Sequence, residues 1–380
     1  MKSKNIKVLI ASDSFKGSAS SMEIANYISE GIKRVDPEIQ TILLEIADGG
    51  EGTVDAITKA KQGQLFTKEV TGPMGQPVNA KYGLFADKQA VIEVAETSGL
   101  TQVDSQSLDP FQATSYGLGE LIKYLIEEKG VKDIYVGLGG SACNDGGIGL
   151  LQALGGKILD KEGHPVQIGA QGLKEISQTE LDVVDHLLKE VNIEVLSDVT
   201  NPLIGVNGAT YIFGKQKGVK VEELPIIDQY MNHYREKVLE TFNVDLDTIP
   251  GAGAAGGLGA ALGGLCGATM RSGIDKVLEL IDLKSKVEQV ELVITGEGSM
   301  DAQSLYGKAP IGIAKIAKKY HKPVIAIVGS VGDDLTSIYQ SDIDLIIDII
   351  NRPMTLEEAM SQTQTLVENA GENAIRSFLL

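Results

Sequence analysis

The sequence predicts an α/β fold with two domains. One is a discontinuous, doubly wound domain with a parallel sheet, formed by the two ends of the chain, and the other is an inserted α/β domain that contains a mixed sheet. Two observations predict this fold: β-rich runs alternate with helical patterns at both ends, and the middle of the chain has a different pattern. The length of 380 residues also favours two domains over one.

The first 60 residues predict two strand–helix units. The β-rich run "IKVLIAS" is followed by Ser20 and Glu23, whose spacing forms a capping box that opens a helix. A second buried strand, "TILLEIA", comes next. Apolar residues share one face of the predicted helix at Ala25, Ile28, Ile32 and Val35.

The last 95 residues repeat this alternation. The strand "ELVITG" comes first and is followed by a helix that begins near Pro310. The strand "PVIAIVG", another helix and the strand "DLIIDII" come next. Two strands at one end of the chain and three at the other would each make a poor sheet alone, so we expect them to join. This places the first domain at 1–61 with 286–380 and the inserted domain at 62–285.

The middle of the chain predicts a sheet of another kind. The stretch "KYGLFADKQAVIEVAE" alternates like a hairpin that turns near Ala86 to Lys88, which is typical of an antiparallel or mixed sheet. A helix follows, ending at Gly130, and then the strand "VKDIYVG". We expect the next helix to begin after Asn144 or Asp145. The apolar face of the first of these helices consists of Leu118, Leu121, Ile122 and Leu125.

Composition excludes several classes of function. The chain has 34 Lys and Arg against 52 Asp and Glu, a formal charge of −18, which argues against nucleic acid as a partner. Its two cysteines are far apart in sequence, so neither a disulfide framework nor a zinc site is expected. No apolar run is long enough for a signal peptide or a membrane span, which predicts a cytoplasmic protein.

A glycine-rich stretch follows the strand "DIYV". The sequence "GLGGSACNDGG", residues 137 to 147, would let backbone approach a ligand closely, and phosphate is the commonest such ligand. It matches the dinucleotide pattern G-x-G-x-x-A, and "GAGAAG" at 251 to 256 matches G-x-G-x-x-G. Both matches are weak: the first loop could bind any phosphate, and the second does not follow a strand, so its small residues could serve close helix packing as well as ligand contact.

Acidic residues and a lysine follow several predicted strands. Asp48 and Glu51 come after the second strand, and "ASDSFKGS" places Lys16 after the first. Because ligands of open α/β sheets bind beyond the carboxyl ends of strands, these side chains are site candidates, although Glu51 suits a helix cap equally well. Lys215 and Lys217 in "FGKQKG" are interpreted as solvated surface charge.

Phosphoryl transfer fits this set of residues best. It requires phosphate binding, cations, Mg²⁺ held by carboxylates and a base near the accepting hydroxyl. The glycine loops, acidic residues and lysines could supply these groups, whereas none of the four histidines is assigned a catalytic role. Hydride transfer fits the same residues less well.

Seven stretches in order resemble the type-1 glycerate kinases, a bacterial family. They are "IASDSFKGSASSMEIA", "ADGGEGTVDAI", "ATSYGLGELI", "GLGGSACNDGG", "SDVTNPLIGVNGA", "GAGAAGGLG" and "ITGEGSMDAQSLYGKAP". The resemblance implies a flavodoxin-like domain with an inserted second domain. It also implies ATP-dependent, Mg²⁺-requiring phosphorylation of D-glycerate, most often to 2-phosphoglycerate. Ser299 and Met300 stand where an Arg-Ile pair is frequent in the family. If that arginine contacts phosphate in other members, Lys308 or Arg271 would supply the positive charge in this chain.

Chemical type and position suggest roles for individual residues. Lys16 with Ser14 would hold the glycerate carboxylate or the transferring phosphoryl group, with Asp13 and Lys308 also binding substrate. Asp48 is the candidate base for the accepting hydroxyl. The candidates for cradling nucleotide phosphates are Gly137, Gly139, Gly140 and Ser141. The candidates for Mg²⁺ are Asp198 and Asp301.

Two rival functions stay open at the level of sequence. An NAD-dependent sugar-acid dehydrogenase would explain the dinucleotide patterns, and a non-catalytic sugar-acid binding module would explain two α/β domains. The expected partners are D-glycerate and ATP, without nucleic acid or membrane, and a homodimer is left open.

Overall fold

The computed structural model describes residues 6–47, 49–104, 106–301, 308–332 and 335–380. Its described residues form two compact units, one from Met1–Asp48 with Ile274–Leu380 and the other from Gly49–Gly273. The domain boundaries that the sequence predicts lie after residues 61 and 285, and they stay a prediction.

The strands of the described residues are numbered in chain order. They are β1 (Lys7–Ser12), β2 (Gln40–Glu45), β3 (Gln64–Thr71), β4 (Pro77–Phe85), β5 (Gln89–Glu93), β6 (Asp133–Gly137), β7 (Lys157–Leu159), β8 (Gln178–Glu180), β9 (Asn192–Leu196), β10 (Thr269–Arg271), β11 (Leu292–Glu297), β12 (Val324–Val328) and β13 (Leu345–Asp348).

The α-helices of the described residues are numbered in the same way. They are α1 (Ser21–Val35), α2 (Thr53–Ala60), α3 (Val94–Ser98), α4 (Tyr116–Glu127), α5 (Ile148–Ala153), α6 (Ala170–Leu173), α7 (Asp182–Leu188), α8 (Ala209–Phe213), α9 (Leu224–Phe242), α10 (Leu258–Leu265), α11 (Gly273–Leu280), α12 (Leu283–Glu288), α13 (Ala309–Lys319), α14 (Leu335–Tyr339), α15 (Leu356–Ser361) and α16 (Thr363–Phe378). Short 3-10 helices lie at Leu100–Gln102, Lys215–Lys217, Leu246–Thr248 and Ala254–Gly257.

The first unit contains a parallel sheet. Among its described residues the strand order is β13-β12-β11-β1-β2, and every neighbouring pair is parallel. If the five strands of this unit are renumbered 1 to 5 in chain order, the sheet order is 2-1-3-4-5, which is that of a flavodoxin-like doubly wound sheet. The topological switch point of such a sheet lies between its first and third strands. The expected joining of two N-terminal and three C-terminal strands is therefore confirmed, and the switch point lies between β1 and β11.

Local sequence signals explain the first helix. The Ser20 side chain accepts a hydrogen bond from the Glu23 amide, and the Glu23 carboxylate accepts one from the Ser20 amide, which forms the expected capping box. On the predicted apolar face, Ala25, Ile28 and Ile32 are fully buried in the core of this unit. Helix α13 likewise begins at Ala309, next to the expected Pro310.

The second unit contains a mixed sheet. Its strand order within the described residues is β10-β9-β6-β5-β4-β3, in which β4 is antiparallel to both β3 and β5 and the remaining pairs are parallel. The expected hairpin is confirmed, because β4 ends at Phe85 and β5 begins at Gln89. Asp87 and Lys88 in its turn have φ of +63° and +60°, as the primed hairpin turns require.

The start of α5 differs from the sequence expectation. The helix begins at Ile148 and not directly after Asn144 or Asp145. Gly146 and Gly147 have φ of +63° and +79°, which lie outside the right-handed helical region, so they delay the helix. The preceding helix, α4, ends at Glu127, short of the expected Gly130.

Among the helices that the structure describes, none combines the length and the apolar character needed to cross a bilayer.

Candidate functional site

A cavity of about 720 Å³ lies in the first unit, at the carboxyl ends of its parallel strands. Residues that follow β1, β11, β12 and β13 line it, among them Asp13, Glu297, Ser330 and Ile349. The cavity therefore includes the switch point between β1 and β11, where open α/β sheets bind their ligands.

The loop after β1 brings three predicted substrate residues to this cavity. The Asp13 amide donates to the Gly296 carbonyl at 2.9 Å, and the Asp13 carboxylate accepts from the Ser14 amide at 2.7 Å. Hydrogen bonds between the backbones of Phe15 and Ala19 then close a tight loop. Lys16 is exposed at this loop and lines the cavity with Asp13 and Ser14.

Glu297 and Lys308 form an ion pair at the same cavity. Lys308 Nζ lies 2.9 Å from Glu297 Oε2, and the lysine also lines the cavity, so it can face a ligand. The Glu297 side chain is buried, and among the described residues its Oε1 has no hydrogen-bond partner. A buried carboxylate oxygen without a partner is costly, which suggests that a donor or a cation completes this position.

Ser299 stands at the position where the resembled family frequently has an arginine. Ser330 Oγ donates to Ser299 Oγ at 3.2 Å, and both residues line the cavity. Met300 is buried, and its amide donates to the Ser330 carbonyl at 3.0 Å. Of the two cations suggested as substitutes, Lys308 lines this cavity, whereas Arg271 lies in the second unit, 3.5 Å from the carboxylate of Glu194.

The predicted magnesium ligands lie in different units. Asp301 follows the cavity-lining strand end in the first unit, and its Cβ packs against Gly332. Asp198, in the second unit, accepts hydrogen bonds from Ser272 Oγ at 2.8 Å and from the Gly273 amide at 2.9 Å. Both of these contacts of Asp198 lie within the second unit, and a metal role for either aspartate stays a prediction. The predicted base, Asp48, lies outside the described residues.

The glycine loop after β6 packs closely against the protein. A Cβ on Gly137 would lie 2.6 Å from the Gly49 carbonyl oxygen, and one on Gly139 would lie 2.4 Å from Gly50 Cα. The Gly139 amide donates to the Gly49 carbonyl, and the Ala142 amide donates to the Ser98 carbonyl. Close backbone packing therefore accounts for Gly137 and Gly139, while phosphate binding by this loop stays a prediction.

Asp145 lies just before α5, the helix that follows the glycine-rich loop. This fully buried carboxylate accepts hydrogen bonds from the Ser115 amide at 2.8 Å, from Ser115 Oγ at 2.9 Å and from the Gly147 amide at 3.1 Å. Burial raises the pKa of Asp145, although these hydrogen bonds act in the opposite direction. The positive end of α5 is thus already neutralised from within the protein.

Lys217 is a buried residue that the sequence interpretation placed wrongly. Its side chain is 1% exposed, and its Nζ donates to Ser141 Oγ at 2.9 Å and to the Cys143 carbonyl at 2.7 Å. Burial lowers the pKa of this lysine. Within the 3-10 helix at Lys215–Lys217, Lys215 is exposed and Lys217 points inward, toward acceptors that are distant in the sequence.

Glu93 is a second buried ionisable group that the sequence did not single out. It ends β5, and its Oε1 accepts a hydrogen bond from the Val54 amide at the start of α2. Its Oε2 is buried and has no hydrogen-bond partner among the described residues. Burial raises the pKa of Glu93 to about 8. The only available signal was a charged residue inside the apolar run "AVIEVA".

Comparison with known proteins decides the family. The sequence profile of the glycerate kinase family matches residues 8–379. The chain belongs to the glycerate kinase family. It is 44% identical to the glycerate 2-kinase of Escherichia coli K12 over 97% of both chains, and 41% identical to the glycerate kinase of Bacillus subtilis 168 over 99% of this chain and 98% of the relative.

A solved structure agrees with this assignment. The crystal structure of the protein assigned as glycerate kinase 2 in Salmonella typhimurium LT2 matches with a TM-score of 0.83 at 41% identity, over 98% of each chain. The predicted family and the predicted α/β fold are confirmed. In this member of the glycerate kinase family, the cavity brings together four of the predicted site residues, namely Asp13, Ser14, Lys16 and Lys308.

Glu93→Gln is expected to remove a pH dependence of stability. Between the ordinary glutamate pKa of 4.5 and the folded value of about 8, the folded protein keeps a proton that the unfolded chain has lost. The free energy of unfolding therefore falls as pH rises through this range, by about 1.4 kcal/mol per unit at most. Glutamine keeps an oxygen for the Val54 amide and carries no charge, so the variant should lack this decline.

Denaturant unfolding at pH 5, 6, 7 and 8 measures this effect. Glu69→Gln, at an exposed carboxylate of the same unit, is the control and should follow the unmodified protein. Equal pH dependence in Glu93→Gln and the unmodified protein would contradict a raised pKa at Glu93.

Lys217→Met is expected to destabilise the protein. The substitution keeps the apolar stem but leaves Ser141 Oγ and the buried Cys143 carbonyl without their donor, which should lower the free energy of unfolding by about 1–3 kcal/mol. Lys215→Met, two residues away and exposed, should change it by less than about 0.5 kcal/mol. Denaturant titration compares the two, and equal stability would mean that desolvation of the ammonium offsets its hydrogen bonds.

Proposed function

We propose that this protein transfers the γ-phosphoryl group of ATP to D-glycerate, giving 2-phosphoglycerate and ADP. Membership of the glycerate kinase family and 44% identity to a glycerate 2-kinase support this choice. The observation that carries it is the cavity at the switch point, where Lys16 and Lys308 face the same space beside buried Glu297. Two cations in one cavity suit a reaction between two anionic substrates.

Lys16, Ser14, Asp13 and Lys308 are the proposed substrate-binding residues. The ammonium of Lys16, in the loop closed by Phe15 and Ala19, would bind the glycerate carboxylate or the phosphoryl group that is being transferred. Lys308 would act in the same cavity, where its ion pair with Glu297, at 2.9 Å, fixes its position. Phosphoryl transfer depends on positioning and charge stabilisation more than on covalent chemistry, so fixed cations would supply much of the rate enhancement.

Magnesium fits the donor set of the first unit. The buried Glu297 Oε1 has no hydrogen-bond partner among the described residues, and carboxylate oxygens are the ligands that Mg²⁺ prefers. We propose Glu297 as a ligand together with Asp301, with Asp198 as the alternative in the second unit. When bound, the metal ion would neutralise charge on the phosphates of the nucleotide.

The accepting hydroxyl requires a group that orients it and takes its proton. Asp48 is the proposed base, on the grounds of its chemical type and its place after the second strand. The Gly140 and Ser141 backbone is proposed as an additional contact for phosphate, since Gly140 is exposed in its loop.

The dehydrogenase alternative has less support. A dinucleotide pyrophosphate would bind at the helix that follows the G-x-G-x-x-A pattern. In this protein that helix is α5, with six residues, and the carboxylate of Asp145 already accepts the Gly147 amide at its start.

Phosphorus-31 NMR tests the proposed function. The protein is incubated with ATP, Mg²⁺ and D-glycerate, and the spectrum should show ADP and a phosphate ester on carbon 2. An ester on carbon 3 would correct the regiochemistry, and unchanged ATP would support a binding module. Reduction of NAD with glycerate, followed by absorbance, would instead indicate the dehydrogenase.

Lys16→Met is expected to abolish most turnover while leaving the fold intact. The loss should be roughly a hundredfold or more, equivalent to about 3 kcal/mol of transition-state stabilisation. An exposed lysine contributes little to stability, so thermal melting should not change. Lys319→Met removes another exposed lysine of the same unit and should keep normal turnover. Near-normal turnover in Lys16→Met would show that Lys16 is only surface charge.

A further inference from the structure

The lining of the cavity in the first unit contains residues of two chemical kinds. Polar and charged residues come from the ends of β1, β11 and β12, including Lys16, Ser299 and Ser330. Apolar residues come from the segment after β13 and from helix α15, and they are Ile349, Ile350, Met354, Leu356 and Met360. We call these five residues the apolar wall.

Part of the apolar wall is exposed although the fold does not require it to be apolar. Leu356 is 77% exposed and Met360 is 36% exposed. Leu356 is the first residue of α15, which is already capped by Thr355 and Glu358 through a capping box. Exposed apolar side chains that share one cavity, next to charged groups, are typical of a ligand-binding surface.

The size of the cavity indicates a ligand much larger than glycerate. A three-carbon acid occupies on the order of 100 Å³, judging from about 30 Å³ for a water molecule. The cavity measures about 720 Å³, within the range that buries ligands of nucleotide size. Glycerate also has no apolar group that could cover such a wall.

We propose that this cavity is the nucleotide site, with the base and ribose of ATP against the apolar wall and its phosphates toward Ser299, Ser330 and Lys308. The proposal rests on the proposed function, which requires ATP as the phosphoryl donor. A nucleotide combines a flat, weakly polar base with a polyanionic end, and the cavity is lined both by apolar residues and by polar and cationic ones.

This assignment places the base of the nucleotide in the first unit and not at the glycine loop of residues 137 to 147. The hydrogen bonds of that loop agree with this, because the amides of Leu138, Gly139 and Ala142 donate to protein carbonyls. Its neighbouring helix start is neutralised by Asp145.

Leu356→Glu and Met360→Glu test the apolar wall. An acidic residue at the first position of α15 suits the helix dipole, so Leu356→Glu should fold normally. Leu379→Glu, at a side chain that is 42% exposed in the same unit and outside the cavity lining, is the matched control. Thermal melting of all three variants verifies folding.

Calorimetric titration with ADP and with inorganic pyrophosphate is the measurement. Loss of apolar contact with the base should weaken ADP binding about tenfold in each wall variant, while pyrophosphate binding stays unchanged. The Leu379→Glu control should bind both as the unmodified protein does. Unchanged ADP affinity in both wall variants, or equal losses for ADP and pyrophosphate, would overturn the proposal.

Failure of this inference differs from failure of the proposed function. Wall-dependent ADP binding without formation of a glycerate phosphate would support the nucleotide site and refute the kinase reaction. Normal formation of phosphoglycerate with an unchanged KM for ATP in both wall variants would support the reaction and refute the site.

Discussion

The parallel pairing of β1 with β11 is the constraint on which the first unit depends. These strands lie on opposite sides of the inserted residues in the sequence, yet they pair from Val8 with Leu292 to Ser12 with Gly296. The pairing joins the two ends of the chain into one sheet and creates its switch point. It also brings the loop of Asp13 next to the end of β11 at Glu297, so the candidate site exists only because this pair forms.

Glu297 at the switch point has only part of its hydrogen-bonding capacity satisfied by the described residues. Glu297 is buried and uses only one carboxylate oxygen for Lys308, and Lys308 keeps a position on the cavity wall. Such a partly satisfied buried group costs stability. A binding site accounts for this cost, since a hydrogen-bond donor or a metal ion would complete the missing contact of Glu297 Oε1.

The second unit uses buried polar groups for a different purpose. Lys217 donates hydrogen bonds to Ser141 and to the Cys143 carbonyl, and Asp145 accepts one from the Gly147 amide. The middle and the end of the glycine loop are therefore fixed from inside the protein. Glycine is required at 137 and 139 because neighbouring backbone leaves no room for a side chain. Close backbone packing therefore explains Gly137 and Gly139, which are two of the glycines that first suggested a phosphate-binding loop.

The sequence by itself determined the elements and the family. Capping by Ser20 and Glu23, the turn between β4 and β5, and the two groups of strands depend on neighbours in the chain, so local patterns predicted them. The order of short motifs likewise identified the family, which the comparisons confirmed. Only the tertiary structure decided which groups are buried and what they contact. Lys217 and Lys215 belong to the same motif, but the acceptors of Lys217 are Ser141 and Cys143, more than 70 residues away, and no local pattern encodes such a contact.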